Sequence, residues 1–138
     1  MRRFAVLVMA AVPATVAGCG GDDQGYSNEP RPAAPIVLTA SITKDEVAVS
    51  PEEFGAGPVS LVVANQTSAA QEITFETAGG SAGFKQQTGP INPGDTATLK
   101  ANVETGKLTV RVQGDGIQPA ELTVGDPRPS AQNDLLQP

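Results

Sequence analysis

Cys19 is the single cysteine of this 138-residue chain, and no histidine occurs anywhere in it. Both methionines, Met1 and Met9, precede that cysteine. Thiolates, imidazoles and thioethers are the side chains that hold zinc, copper and haem iron, and they supply many nucleophiles and general bases. Beyond residue 19 the chain has none of them. A disulfide within the chain is excluded by the count. What covalent chemistry is open to this protein therefore depends on the fate of one sulfur.

The residues before that sulfur have the three parts of a secretory signal. Arg2 and Arg3 form a charged start, Phe4 to Val12 is unbroken apolar sequence, and small residues follow Pro13. A spanning helix needs about 20 apolar residues, and the run ends too soon for one. Val16-Ala17-Gly18-Cys19 resembles the lipobox of bacterial lipoproteins. The resemblance implies cleavage between Gly18 and Cys19 and acylation of the Cys19 thiol, with palmitate as a suitable label. Two or more acyl chains hold a protein stably at a bilayer, where one does so only marginally. The expected location is the extracytoplasmic face of the cell membrane, with the lipid on Cys19 as the membrane contact.

Other residues offer less. Removing residues 1–18 leaves seven basic against fifteen acidic residues, and an acidic surface repels phosphate backbones, which argues against nucleic acid. A serine or threonine nucleophile would have to use Lys44, Lys85, Lys100 or Lys107 as its base, and no spacing matches a serine-lysine signature. Glu52 and Glu53 are neighbours on an extended segment, so they point apart. Gly79 to Gly83 lacks the lysine-serine pair and following helix of a phosphate loop, and the Gln113-Gly114-Asp115-Gly116 turn is no calcium loop. Asn65-Gln66-Thr67 matches a glycan sequon by chance in a bacterial cell. No catalysis, metal or cofactor is expected.

The elements that carry these residues divide the chain in four. Residues 1–18 are the signal peptide, and 19–35 are the lipidated N-terminus and a flexible glycine-, proline- and charge-rich tether. From Ile36 the pattern has a period of two, the mark of half-buried strands. Ile36, Leu38, Ala40 and Ile42 alternate with polar or small residues, then Val47 and Val49, then Val59, Leu61 and Val63. A corner is expected at Pro51–Gly57, a short strand at Ile73 and Phe75, and a loop from Thr77 to Pro90. Ile91-Asn92-Pro93-Gly94-Asp95 is a tight turn. Ala97 to Val103, Leu108 to Val112 and Leu122 with Val124 complete about seven strands. Residues 36–125 are thus expected to form a two-sheet antiparallel Greek-key sandwich, and 126–138 a disordered tail. Phe84, an aromatic in a polar loop, either caps the end of the sandwich or contacts a partner.

The order of features resembles a bacterial cupredoxin-like domain. The residues that carry it are Phe54-x-Ala56-Gly57-Pro58-Val59, Val62-Val63-x-Asn65, Ile91-x-Pro93-Gly94-Asp95-Thr96-Ala97-Thr98-Leu99, the strand Gly106 to Val112 and Ala120 to Val124. The resemblance implies the fold; the copper ligands do not carry over. Gln71 stands where a histidine is expected, Val112 where the cysteine is, and Ile117 nearest the methionine, and the loop after Val112 has no histidine. An immunoglobulin-like adhesion sandwich is the rival architecture, to be separated by strand order. The functional expectation is a lipid-anchored binding or structural module without redox metal. The alternative is an accessory subunit of an envelope transporter or oxidase complex, with an envelope protein as partner.

Overall fold

Strand formation follows the branched apolar residues at alternate positions. In the computed structural model, which describes residues 31–79, 83–114 and 116–131, eight strands occur among those residues. They are β1 (Ile36–Ile42), β2 (Val47–Ser50), β3 (Glu53–Asn65), β4 (Ile73–Thr77), β5 (Lys85–Gln87), β6 (Thr96–Val103), β7 (Gly106–Val112) and β8 (Ala120–Pro127). Burial alternates along them as the pleat requires: Leu38, Ala40 and Ile42 are buried on β1, while Val37 and Thr39 are exposed. Cys19, Gly18, Asp115 and the residues after Ala131 lie outside the described residues.

The strands make two layers. One runs β2-β1-β3-β6 and the other β3-β8-β7-β4-β5, so β3 serves both. Leu38, Ile42, Leu61 and Val63 from the first layer meet Ile73, Phe75, Val110 and Leu122 from the second in one continuous core. Each such side chain, fully buried, contributes about 1.5–3 kcal/mol. The fold is therefore an all-β two-sheet sandwich, as the alternation predicts.

It is not purely antiparallel. β1 pairs with β3 in parallel, and so does β3 with β8. The cause lies in the path of the chain. β2 leaves β1 through the tight Thr43–Glu46 turn, where the Thr43 hydroxyl accepts from the Glu46 amide at 3.1 Å. The chain then crosses to the second layer, pairs with β8 over residues 53–56, and turns back into the first layer beside β1. A strand that returns after a crossover lies parallel to its neighbour. The reversal falls at Gly57, whose φ of +130° suits glycine alone, next to a register shift between Gly55 and Ala56. The Pro51–Gly57 corner expected from sequence is thus mostly strand.

Two other expectations change. The Thr77–Pro90 loop contains β5, three polar residues held on the edge of β4. The sandwich does not stop at Gly125 either: β8 continues to Pro127, and residues 128–131 are bonded back to residues 31–34.

The connections 43–46, 66–72, 88–95 and 113–119 gather at one end of the sandwich, here called the upper end. The reversal at Gly57, Phe84 and the turn at Glu104-Thr105 lie at the other, the lower end.

Candidate functional site

At the upper end the organising side chain is Asn65, the last residue of β3 and only 1% exposed. Its Nδ2 donates to the carbonyls of Ala69 at 2.7 Å and Ile91 at 2.8 Å. Its Oδ1 accepts from the Thr67 amide at 2.9 Å and the Thr67 hydroxyl at 2.7 Å. Two donors and two acceptor positions are all that a side-chain amide has, so every one is used. The backbone of Asn65 joins in, accepting from Gly94 N at 2.8 Å and donating to Asp95 O at 3.0 Å. These bonds staple the 66–72 connection to the Pro93-Gly94 turn. That turn closes as expected, with Asp95 N donating to Asn92 O and Gly94 at φ +82°.

The positions that the family resemblance picks out lie at this same end. Gln71 bridges to Ile91 just before β4, with a backbone bond in each direction, and its Nε2 donates to the Thr67 hydroxyl at 3.4 Å. Val112 is the last residue of β7, buried opposite Ile73. Ile117, in the β7–β8 connection, packs half-buried against the core. The structure thus brings the three together at one end, as an amide and two aliphatic side chains. A copper ion of the electron-transfer type needs imidazole and thiolate donors, and this set does not fit it. Among the described residues no three carboxylate, cysteine or histidine side chains cluster as metal ligands would. The sequence offers Asn65 only as the start of a chance sequon and as one residue of the family resemblance. Its signal was being the one strongly polar residue on the inward phase of Val59, Leu61 and Val63.

The lower end is built differently. Phe84 packs edge-to-face on the buried Phe75, ring centroids 5.0 Å apart at 81°. Its backbone is tied to Thr77 in both directions, at 3.1 Å and 2.9 Å. Beside it a groove of about 310 Å³ runs to Glu104, Lys107 and Leu108. Higher on the second sheet's outer face Glu76 meets Arg111 Nε at 2.7 Å and Lys85 Nζ at 3.6 Å. The bond from Arg111 is the main cause that holds its carboxyl below the usual range, partly opposed by burial and helped by the charges of Arg111 and Lys85.

Arg128 closes this end. Its Nε donates to Gly55 O at 3.0 Å and Ala56 O at 3.3 Å, and its terminal nitrogens donate to the carbonyls of Ala34 and Pro58. A strand that leaves one sheet for another strands its carbonyls between ladders, and backbone acceptors need partners. A guanidinium with five donors and no acceptor supplies them. The close approach requires Gly55: a Cβ there would lie 2.7 Å from Arg128 Cγ and 2.8 Å from Asp126 O.

Among the described residues Lys44 pairs with Asp45, both exposed, and Glu52 uses its backbone carbonyl to accept from Thr123 N.

No protein-family model and no curated protein matches this sequence. Solved structures do. Auracyanin A, a "blue" copper protein from Chloroflexus aurantiacus, aligns with 67% of this chain and 100% of its own at TM-score 0.54 and 12% identity. A dithionite-reduced auracyanin from Roseiflexus castenholzii gives 0.49 and 12% over 67% of this chain and 98% of that one. An amicyanin mutant in its reduced Cu(I) form gives 0.47 and 13% over 64% and 82%. The likeness defines the class of fold, a cupredoxin-like β-sandwich. Immunoglobulin constant-type sheets are antiparallel, and the two parallel pairings here depart from them.

Proposed function

We propose that this chain is a lipid-anchored, extracytoplasmic module that uses a cupredoxin-like sandwich for binding or support rather than for copper redox chemistry. The observation that carries the reading is the set Gln71, Val112 and Ile117 at the upper end, where an amide already bonded to Thr67 and two packed aliphatic side chains leave no soft donor. The Val16-Ala17-Gly18-Cys19 sequence supports the place of action, with the lipid on Cys19 as the membrane attachment. Catalysis forms no part of this reading, since the chain beyond Cys19 has no histidine or thiol to serve as base or nucleophile. The partner is an envelope protein, and the accessory subunit of a transporter or oxidase complex is the most specific form of this reading. Phe84 is then a candidate contact, its exposed edge facing the groove at the lower end.

The test has two arms. Labelled palmitate enters the wild-type chain in cells and not Cys19→Ser; equal labelling removes the anchor. Copper(II) added to the purified protein gives no intense visible absorption; a blue product overturns the non-redox assignment.

A further inference from the structure

Three features of the sandwich lie outside the Asn65 staple and the Gln71, Val112 and Ile117 set. Among the described residues the carboxylates of the upper connections, Asp45, Glu46, Glu72 and Asp95, do not cluster as metal ligands would. The outer face of the first sheet, poor in charge, has nothing on it to name an occupant. The strap built on Arg128 ties both ends of the described chain to one point of the sandwich, and it carries an inference.

The residues before β1 are bonded at three successive places. Arg31 O accepts from the Ser130 hydroxyl, Pro32 O from the Ala131 amide at 3.2 Å, and Ala34 O from Arg128. Arg128 in turn grips the carbonyls at the reversal of β3, and its own amide donates to Ala56 O at 3.0 Å. Ala33 lies over this point, its Cβ 3.5 Å from the place a Cβ would take on Gly57. The segment arriving from Cys19 is therefore fastened to the lower end before it enters β1. Eleven residues lie between Cys19 and Arg31, a segment that fully extended reaches about 40 Å.

Charge points the same way. By sequence the upper connections carry Asp45, Glu46, Glu72, Asp95 and Asp115 against Lys44 alone, whereas the lower end mixes Glu104 and Asp126 with Arg31, Lys107 and Arg128. Anionic headgroups attract basic groups and repel acidic ones over about a Debye length.

We infer that the lower end, closed by the Arg128 strap, is the membrane-facing surface of the sandwich, and that the strap holds the stapled upper end outward. This rests on the lipid anchor proposed above. The chemistry of the partner surface is an anionic phospholipid headgroup layer, attracted by the basic groups Arg31, Lys107 and Arg128 at this end. The upper end then points away from the bilayer.

The experiment uses full-length acylated protein in phosphatidylglycerol–phosphatidylethanolamine vesicles with a nitroxide quencher on the headgroups. A thiol-reactive fluorophore is placed by Glu104→Cys at the lower end or by Gln113→Cys at the upper end. The eight residues of β6 at ~3.3 Å each set the two ends about 25 Å apart. Strong quenching is expected at position 104 and near-baseline quenching at 113. Equal quenching, or stronger quenching at 113, overturns the orientation. Arg128→Gln, with the sandwich intact by circular dichroism, loses most of the contrast, and an unchanged contrast overturns the role of the strap. Ala131→Pro, which removes the amide donor to Pro32, is the second variant and is expected to weaken the contrast in the same direction. If the anchor itself is absent, each chain takes up two fluorophores and fails to sediment with vesicles, a result separate from either orientation outcome.

Discussion

Each end of this sandwich is closed by one polar side chain that collects backbone groups, yet the two side chains are opposites. Asn65 is neutral, buried and bonded to exhaustion; Arg128 is charged, half-exposed and bonded to carbonyls alone. The environment explains the choice. Burying an ion without a counter-charge costs several kcal/mol, whereas a fully paired amide can sit in a core. The upper staple lies under two loops and must be neutral. The lower strap stands at the rim, where water still solvates part of the guanidinium, so a charge is tolerated and five donors become available. A buried staple fixes two loops relative to each other, while a rim clasp ties in segments from the ends of the chain.

The contrast breaks first at the buried end. Asn65→Leu removes one of the two donors to each of the carbonyls of Ala69 and Ile91, which keep their bonds from the Thr67 hydroxyl and the Gln71 amide. It leaves the Thr67 amide unpaired, at about 1–3 kcal/mol for a group that water cannot reach. We expect a loss of about 3 kcal/mol. For a domain of this size that lowers the Tm by ~4–8 °C per kcal/mol, and thermal unfolding by circular dichroism measures it. Asn65→Asp is expected to destabilise too, since a carboxylate cannot donate to the two carbonyls. A stability equal to wild type for Asn65→Leu would show that the staple does not hold the loops.

Arg128→Gln comes next, at about 2 kcal/mol, because the freed carbonyls of Gly55 and Pro58 stand near solvent and recover water. Gly55→Ala, pressing on Arg128 Cγ and Asp126 O, is expected to cost roughly 1.5 kcal/mol through overpacking. These two changes share one contact, so together they should cost less than their sum, whereas Asn65→Leu combined with either should add. Chemical denaturation of the singles and doubles checks both statements. Full additivity of Gly55→Ala with Arg128→Gln would mean that the strap does not fill the space which glycine leaves.

The same contrast marks how far the sequence could be read. β1, β6 and β7 are legible because Leu38, Leu99 and Val110 recur at every second position among polar neighbours, and local alternation is all that a half-buried strand needs. The passage of β3 between layers was not. Gly55, Gly57 and Pro58 look like a corner, and only the pairing with β8 makes a strand of the residues before them. β5 has no apolar pattern and exists because β4 offers it an edge. The ligand positions at the upper end could be listed from the resemblance, but not the staple that orders them. Asn65 reaches Ile91, 26 residues away, and Arg128 reaches Gly55, 73 away. Bonds of that span leave no periodicity in the chain, and a proline-rich tail hides the residue that makes the longer one.

The smallest expected effect lies away from both ends and serves as their control. Glu76, between Arg111 and Lys85 on the outer face of the second sheet, has its pKa lowered in the folded chain, first by the hydrogen bond from Arg111. A carboxyl depressed by folding contributes stability above its unfolded pKa and loses it as the pH falls through the folded value. The contribution is therefore full at neutral pH and fades in acid, from the usual carboxylate range downward. Because the ion pair is partly exposed, its size at pH 7 is about 0.5 kcal/mol, and added salt shrinks it further. Glu76→Gln should thus lower the Tm slightly at pH 7 in low salt and converge on wild type in acid or in high salt. The Asn65→Leu deficit should persist in high salt, since that staple contains no charge. If Glu76→Gln destabilised as strongly as Asn65→Leu, the sheet face rather than the stapled end would be where this sandwich keeps its polar stability.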